Sequence, residues 1–95
     1  MAGDAHTLHA EVLTPEGKVF EGEVAQLSTR TSVGEVGVLA NHAPMLARLV
    51  PSQLRLHLPG GEVRRYDATD GYIQVFANKA LVLVAGASPA GSPGS

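Results

Sequence analysis

Two ionisable residues stand out for the segment that carries them. Glu35 and His42 lie within Gly34-Glu35-Val36-Gly37-Val38-Leu39-Ala40-Asn41-His42-Ala43-Pro44, an apolar run broken by glycine and closed by a proline two residues after the histidine. Gly34 and Gly37 permit positive φ or close approach of another chain, and Val36, Val38 and Leu39 favour extended backbone. Pro44 drives Ala43 towards extended geometry. The pattern predicts a short strand opening into a rigid loop that presents Glu35 and His42. A carboxylate and an imidazole on such a loop suit either partner contact or acid–base chemistry.

The remaining candidates for chemistry are weaker. Four histidines occur, at 6, 9, 42 and 57, and no pair has the i, i+4 helical spacing of a zinc motif. Asp67 and Asp70 are spaced as turn residues, although two neighbouring carboxylates are also the equipment of acid–base catalysis. Gly34-x-x-Gly37 lacks the lysine and hydroxyl residue that complete a phosphate-cradling loop. Ser28, Ser32 and Ser52 have no glycine-flanked elbow. No catalytic residue, cofactor site or metal site is expected.

The elements that position Glu35 and His42 read as strands. Leu54, Leu56 and Leu58 alternate with Gln53, Arg55 and His57, which gives one apolar and one wet face. Pro59-Gly60-Gly61-Glu62 then predicts a reversal into a strand over 63–67. Ile73 and Val75 lead through Ala77-Asn78-Lys79 into the aliphatic run of 80–85, for which burial on both faces is expected. This last hairpin is predicted to be the centre of the core. Strands at such short intervals, with turn residues between them, predict an all-β fold: a flattened sandwich or barrel of about ten short strands in two sheets.

The loop resembles the Gly-x-hydrophobic-Gly-hydrophobic-x-x-x-His-Ala-Pro segment of the epsilon subunit of F-type ATP synthases, in its amino-terminal domain. Leu8 to Val12 with Thr14-Pro15-Glu16-Gly17, Phe20-Glu21-Gly22-Glu23-Val24, Asp70-Gly71-Tyr72-Ile73-Gln74-Val75 and Leu81-Val82-Leu83-Val84-Ala85 are similar to other strands and turns of that family, in unbroken order over residues 6 to 87. Asn41 stands where many relatives have glycine, and Asp70 where the first of two glycines is common; asparagine tolerates the left-handed conformation and aspartate suits a turn.

The resemblance implies a β-sandwich and a non-catalytic role in the central stalk, joining the gamma shaft to the membrane ring of c subunits and coupling proton flow to ATP synthesis. It implies that Glu35 and His42 face the rotor ring, with Gly34, Gly37 and Pro44 shaping the loop. It also implies a place on the cytoplasmic face of the bacterial plasma membrane, reached only through the complex. Read without it, the same residues admit a free-standing sandwich that binds a ligand or protein, or a small enzyme using His42 with an aspartate.

Composition narrows the classes further. Ninety-five residues suffice for one modest core, and nine acids against seven bases leave a formal net charge of −2, which offers no footprint for nucleic acid or anionic lipid. Without cysteine there is no disulfide framework or thiol chemistry. No apolar stretch approaches the roughly 20 residues that span a bilayer, and the start lacks a basic signal-peptide head. Residues 1–5 are expected to be flexible, 6–87 to form the domain, and the Gly/Pro/Ser-rich 88–95 to be a tail that is disordered apart from its first few residues. Members of the resembled family continue here into two helices that bind ATP in some bacteria. No nucleotide site is therefore expected, whether the natural subunit is short or a longer one has been cut.

Overall fold

In the computed structural model, residues 6–90 are described, and they form ten strands with no α-helix among them. The expected flexible start, 1–5, and the end of the expected tail, 91–95, lie outside the described residues. The strands are β1 (Leu8–Thr14), β2 (Gly17–Val24), β3 (Gln26–Thr31), β4 (Gly34–Leu39), β5 (Met45–Leu49), β6 (Ser52–His57), β7 (Val63–Ala68), β8 (Gly71–Phe76), β9 (Lys79–Val84) and β10 (Ala87–Pro89).

All ten belong to one hydrogen-bonded path, β10-β7-β6-β3-β5-β8-β9-β1-β2, with β4 on the other edge of β3. The two expected sheets are the halves of this path. One holds β4, β3, β6, β7 and β10, the other β5, β8, β9, β1 and β2, and the single pair Thr31↔Leu49 joins them where β3 passes from β6 to β5. The halves pack face to face, in keeping with extents of 38 × 30 × 26 Å.

Alternation builds the core between them. Leu8, Ala10 and Val12 of β1, Ile73 and Val75 of β8, and Ala80, Val82 and Val84 of β9 point inward from one half; Leu27, Val38, Leu54, Leu56 and Tyr66 meet them from the other. The hairpin of β8 and β9 therefore supplies a large share of the core, as the sequence suggests. Its turn takes left-handed φ at Ala77 (52°) and Asn78 (60°), which suits the right-handed twist of the flanking strands. The β6–β7 reversal uses Gly60 and Gly61 at φ 101° and 107°.

One expectation needs correction. The run 80–85 is not buried on both faces: Leu81 is half-buried and Leu83 is 45% exposed. A sandwich has only two layers, so the outward row of β9 meets no third layer among the described residues. At the start of the tail, where the first few residues are expected to be ordered, Ala87–Pro89 pairs antiparallel with Ala68–Tyr66 of β7. An edge strand needs backbone partners more than apolar side chains, and Ala90 N–H extends the pairing to the Arg65 carbonyl at 2.9 Å.

Candidate functional site

Strand β4 and the loop after it form one rim of the sandwich. Thr31 Oγ1 closes the β3–β4 turn, donating to the Gly34 carbonyl at 2.8 Å and accepting from Val33 N–H at 3.2 Å. Gly34 sits at φ 132°, open to glycine and strained for other residues. Gly37 has a different reason to be glycine: an added Cβ would stand 2.9 Å from Gln26 Nε2.

Glu35 projects outward beside two arginines. Arg30, its cross-strand partner, donates to Glu35 Oε2 at 3.1 Å, and Arg55 Nη2 lies 3.6 Å from Oε1. All three side chains are a third or more exposed, so each pair contributes at most about 1 kcal/mol. Two guanidiniums around one carboxylate leave this spot with one net positive charge.

His42 follows β4 at its opposite end. Residues 35 to 39 run as strand between the two candidates, about 13 Å of extended backbone, and no hydrogen bond joins Glu35 to His42 among the described residues. Asn41 adopts φ 63°, the left-handed geometry anticipated for it. Its N–H donates to Asn78 Oδ1 at 2.8 Å, while Asn78 Nδ2 donates to the Thr7 carbonyl at 3.0 Å. One side chain thereby ties the loop to the β8–β9 turn and to the entry of β1. His42 is half-buried; its N–H reaches the Leu39 carbonyl at 3.2 Å and its Nδ1–H donates to the Ala43 carbonyl at 2.7 Å. The ring is thus oriented by backbone through Nδ1, and the exposed Pro44 leads into β5.

The structure does not assemble a His–Asp pair. His42 contacts no carboxylate among the described residues, and Asp67 lies opposite Gln53 and Ser88 in the other half of the path. Ser28 Oγ comes within 3.5 Å of His57 Nε2 and accepts Gln26 Nε2–H at 3.0 Å, on the flat outer side of β3 and β6. No carboxylate hydrogen-bonds to His57 there among the described residues, so this contact orders three polar side chains and lacks the acid of a triad.

The outer side of the β5–β8–β9 half is the feature that sequence reading missed. Leu46 (72% exposed), Tyr72 (52%), Phe76 (64%) and Leu83 (45%) share it, with Tyr72 opposite Leu83 and Gln74 flanked by Leu46 and Leu81. An open depression of about 450 Å³ lined by Leu13, Thr14, Pro15, Leu83 and Val84 indents its margin. A second hollow, lined by Pro44, Met45, Leu46 and Phe76 among others, runs from this face to the histidine loop. The signal was present in β8 and β9, whose apolar residues occupy both parities. In a two-layer domain, that pattern leaves one of the two apolar rows on the surface.

The family described as "ATP synthase, Delta/Epsilon chain, beta-sandwich domain" matches residues 7–90. The chain is 47% identical over 74 residues to the ATP synthase epsilon chain of Persephonella marina, covering 78% of this chain and 54% of that protein. It is 39% identical over 83 residues to the epsilon chain of Nitratiruptor sp., covering 87% and 64%. Among solved structures, the Euglena gracilis mitochondrial ATP synthase complex of OSCP, F1 and c-ring contains a similar chain, with a TM-score of 0.83 at 25% identity over 87% of this chain and 53% of that one. The Tetrahymena thermophila mitochondrial ATP synthase central stalk and c-ring contains another, with a TM-score of 0.70 at 15% identity over 85% and 65%, a likeness of fold. The chain spans less than two thirds of the length of these relatives.

Proposed function

Since the chain belongs to the ATP synthase delta/epsilon β-sandwich family, we propose that it serves as a non-catalytic part of the central stalk, joining the gamma shaft to the c-subunit ring. It would act on the cytoplasmic side of a bacterial membrane, held there through the complex. The observation that carries this reading is the exposed apolar face of Leu46, Tyr72, Phe76 and Leu83 beside a loop braced by Asn78. Full burial of a side chain of this size is worth about 1.5–3 kcal/mol, against the several kcal/mol that association costs. Four such anchors suit a stable joint.

The gamma subunit is assigned to this apolar face, and the ring to the polar rim of Glu35 and His42. A lone carboxylate such as Glu35 would suit a basic group on the ring. With Arg30 and Arg55 already at its carboxylate, an incoming base would have to displace a guanidinium. An acceptor on the ring, meeting the arginines that Glu35 holds in place, fits the rim's net charge better. His42 would contribute one hydrogen bond through Nε2, worth roughly 1 kcal/mol. Terms of this size set orientation, and apolar burial sets affinity.

A packed sandwich suits torque transfer because its ladders and close-packed core resist shear. The test is reconstitution: this chain mixed with its cognate gamma subunit gives a one-to-one complex by size exclusion. Absence of a complex at micromolar concentrations would overturn the reading.

A further inference from the structure

A cluster on β1 and β2 lies beside the four apolar anchors of the proposed joint, with Glu11 in register with Leu81. On the outward rows of these strands His9 stands opposite Glu23, and Glu11 opposite Glu21. His9 Nε2 lies 3.1 Å from Glu21 Oε2 and 3.3 Å from Glu11 Oε2, and the three atoms fall within 4.8 Å of one another. The other ring nitrogen, Nδ1, is 3.1 Å from Glu23 Oε2. Each outer carboxylate has a second tether: Thr7 Oγ1 donates to Glu23 Oε1 at 3.0 Å, and Lys18 pairs with Glu21 Oε1.

Three carboxylates around one imidazole repel one another unless a cation lies among them. A proton on His9 is one such cation: the hydrogen bond to Glu23 raises the ring's affinity for it most, burial lowers it, and the hydrogen bonds to Glu21 and Glu11 add to the rise. The spacing also matches a larger cation. A tetrahedral ion with arms of roughly 2.0 Å sets its ligand atoms about 3.3 Å apart, and both Nε2–oxygen separations are close to that edge. With Nδ1–H donating to Glu23, the lone pair of Nε2 points to the place such an ion would take. A carboxylate on the far nitrogen of a metal-binding histidine fixes the tautomer in this way.

We propose that His9 Nε2, Glu11 Oε2 and Glu21 Oε2 form a surface site for a divalent transition-metal ion of the zinc type, with Glu23 as the positioning residue that orients the imidazole. The mixed nitrogen and carboxylate donors favour zinc over magnesium, which prefers oxygen alone. All three donors come from adjacent strands already in register, so binding requires little rearrangement and clamps β1 to β2 near the sheet edge. This site is independent of the stalk reading.

The test is titration of the 95-residue chain with zinc chloride at pH 8, followed by calorimetry and by the ring-nitrogen NMR signals of its histidines. The expected result is saturable one-to-one binding that shifts His9 Nε2 while Nδ1 stays protonated. Affinity falls at least about tenfold in Glu11→Gln and Glu21→Gln, and about 10–100-fold in Glu23→Gln, as for other outer carboxylates. Glu16→Gln, outside the cluster, leaves it unchanged. The donors are partly exposed, and the amide spectrum of each variant verifies its fold. Absence of saturation, or equal affinity in His9→Gln, would overturn the proposal, the latter by transferring the metal to another histidine.

Discussion

Asn78 Oδ1 accepts the backbone N–H of Asn41 at 2.8 Å, so two residues with left-handed φ, on loops 37 residues apart, brace each other. The histidine loop is held by a turn of the core hairpin and not by its own sequence alone. Asn78→Gly keeps the backbone geometry and removes this bond together with that to Thr7, at an expected cost of about 1–2 kcal/mol. Asn78→Ala adds left-handed strain of roughly 1 kcal/mol. Urea denaturation measures the totals, and faster hydrogen exchange at the Asn41 amide locates the loss.

Gly71 and Gly37 separate two kinds of glycine. A Cβ at Gly71 would lie 2.0 Å from the Leu83 carbonyl oxygen and 2.8 Å from Val84 Cα, both backbone atoms in the centre of the sheet. Gly71→Ala is expected to cost about 3 kcal/mol or more, or to prevent folding. At Gly37 the obstacle is the end of the Gln26 side chain, which swings away at the loss of its bond to Ser28, so Gly37→Ala should cost about 1 kcal/mol. Thermal melts of the two variants side by side decide it; similar losses would refute the distinction.

Leu46 and Phe76 are exposed side chains whose removal should leave the fold almost untouched. The double variant Leu46→Ser with Phe76→Ser is expected to change unfolding free energy by less than about 1 kcal/mol. Its affinity for the gamma subunit should fall by tenfold or more. Calorimetric titration against gamma gives the second number, and wild-type affinity would remove gamma from this face.

Glu35 and His42 are expected to matter only in the assembly. Glu35→Ala with His42→Ala should leave stability within about 1 kcal/mol of wild type, since the ion pairs lost are exposed, yet weaken the coupling of hydrolysis to proton pumping. Arg30→Ala with Arg55→Ala should do at least as much harm if the ring meets the arginines. Pumping per ATP hydrolysed, measured in reconstituted vesicles, tests both; unchanged efficiency in both would sink the rim assignment.

Much of the fold is written in local pattern. The leucines of β6, the glycine turn after it and the β8–β9 hairpin announce themselves because alternation and turn chemistry are properties of neighbouring residues. Strand β3 is harder to see, because its inward positions are Leu27, Thr29 and Thr31, and the threonines are buried only by what packs on them. The parallel pairing of His9–Leu13 with Lys79–Leu83 joins segments about 70 residues apart and leaves no local mark. At the rim, the glycines, Asn41 and Pro44 predict a shaped loop, whereas the arginines around Glu35 come from β3 and β6 and converge only on folding. The outward row of Leu81 and Leu83 was read as core because apolar residues in a strand look the same whether their cover lies within the chain or beyond it.

That same junction of first and last long strands bears on how the protein is made. During synthesis at roughly 5–20 residues per second, β1 leaves the ribosome about 4–14 s before β9. Until then the backbone edge of β1 that β9 will pair has no ladder, although Leu8, Ala10 and Val12 can already meet Leu27, Leu54 and Leu56. Among the described strands β9 is the last to bring core residues, and only with it can the parallel ladder to β1 form.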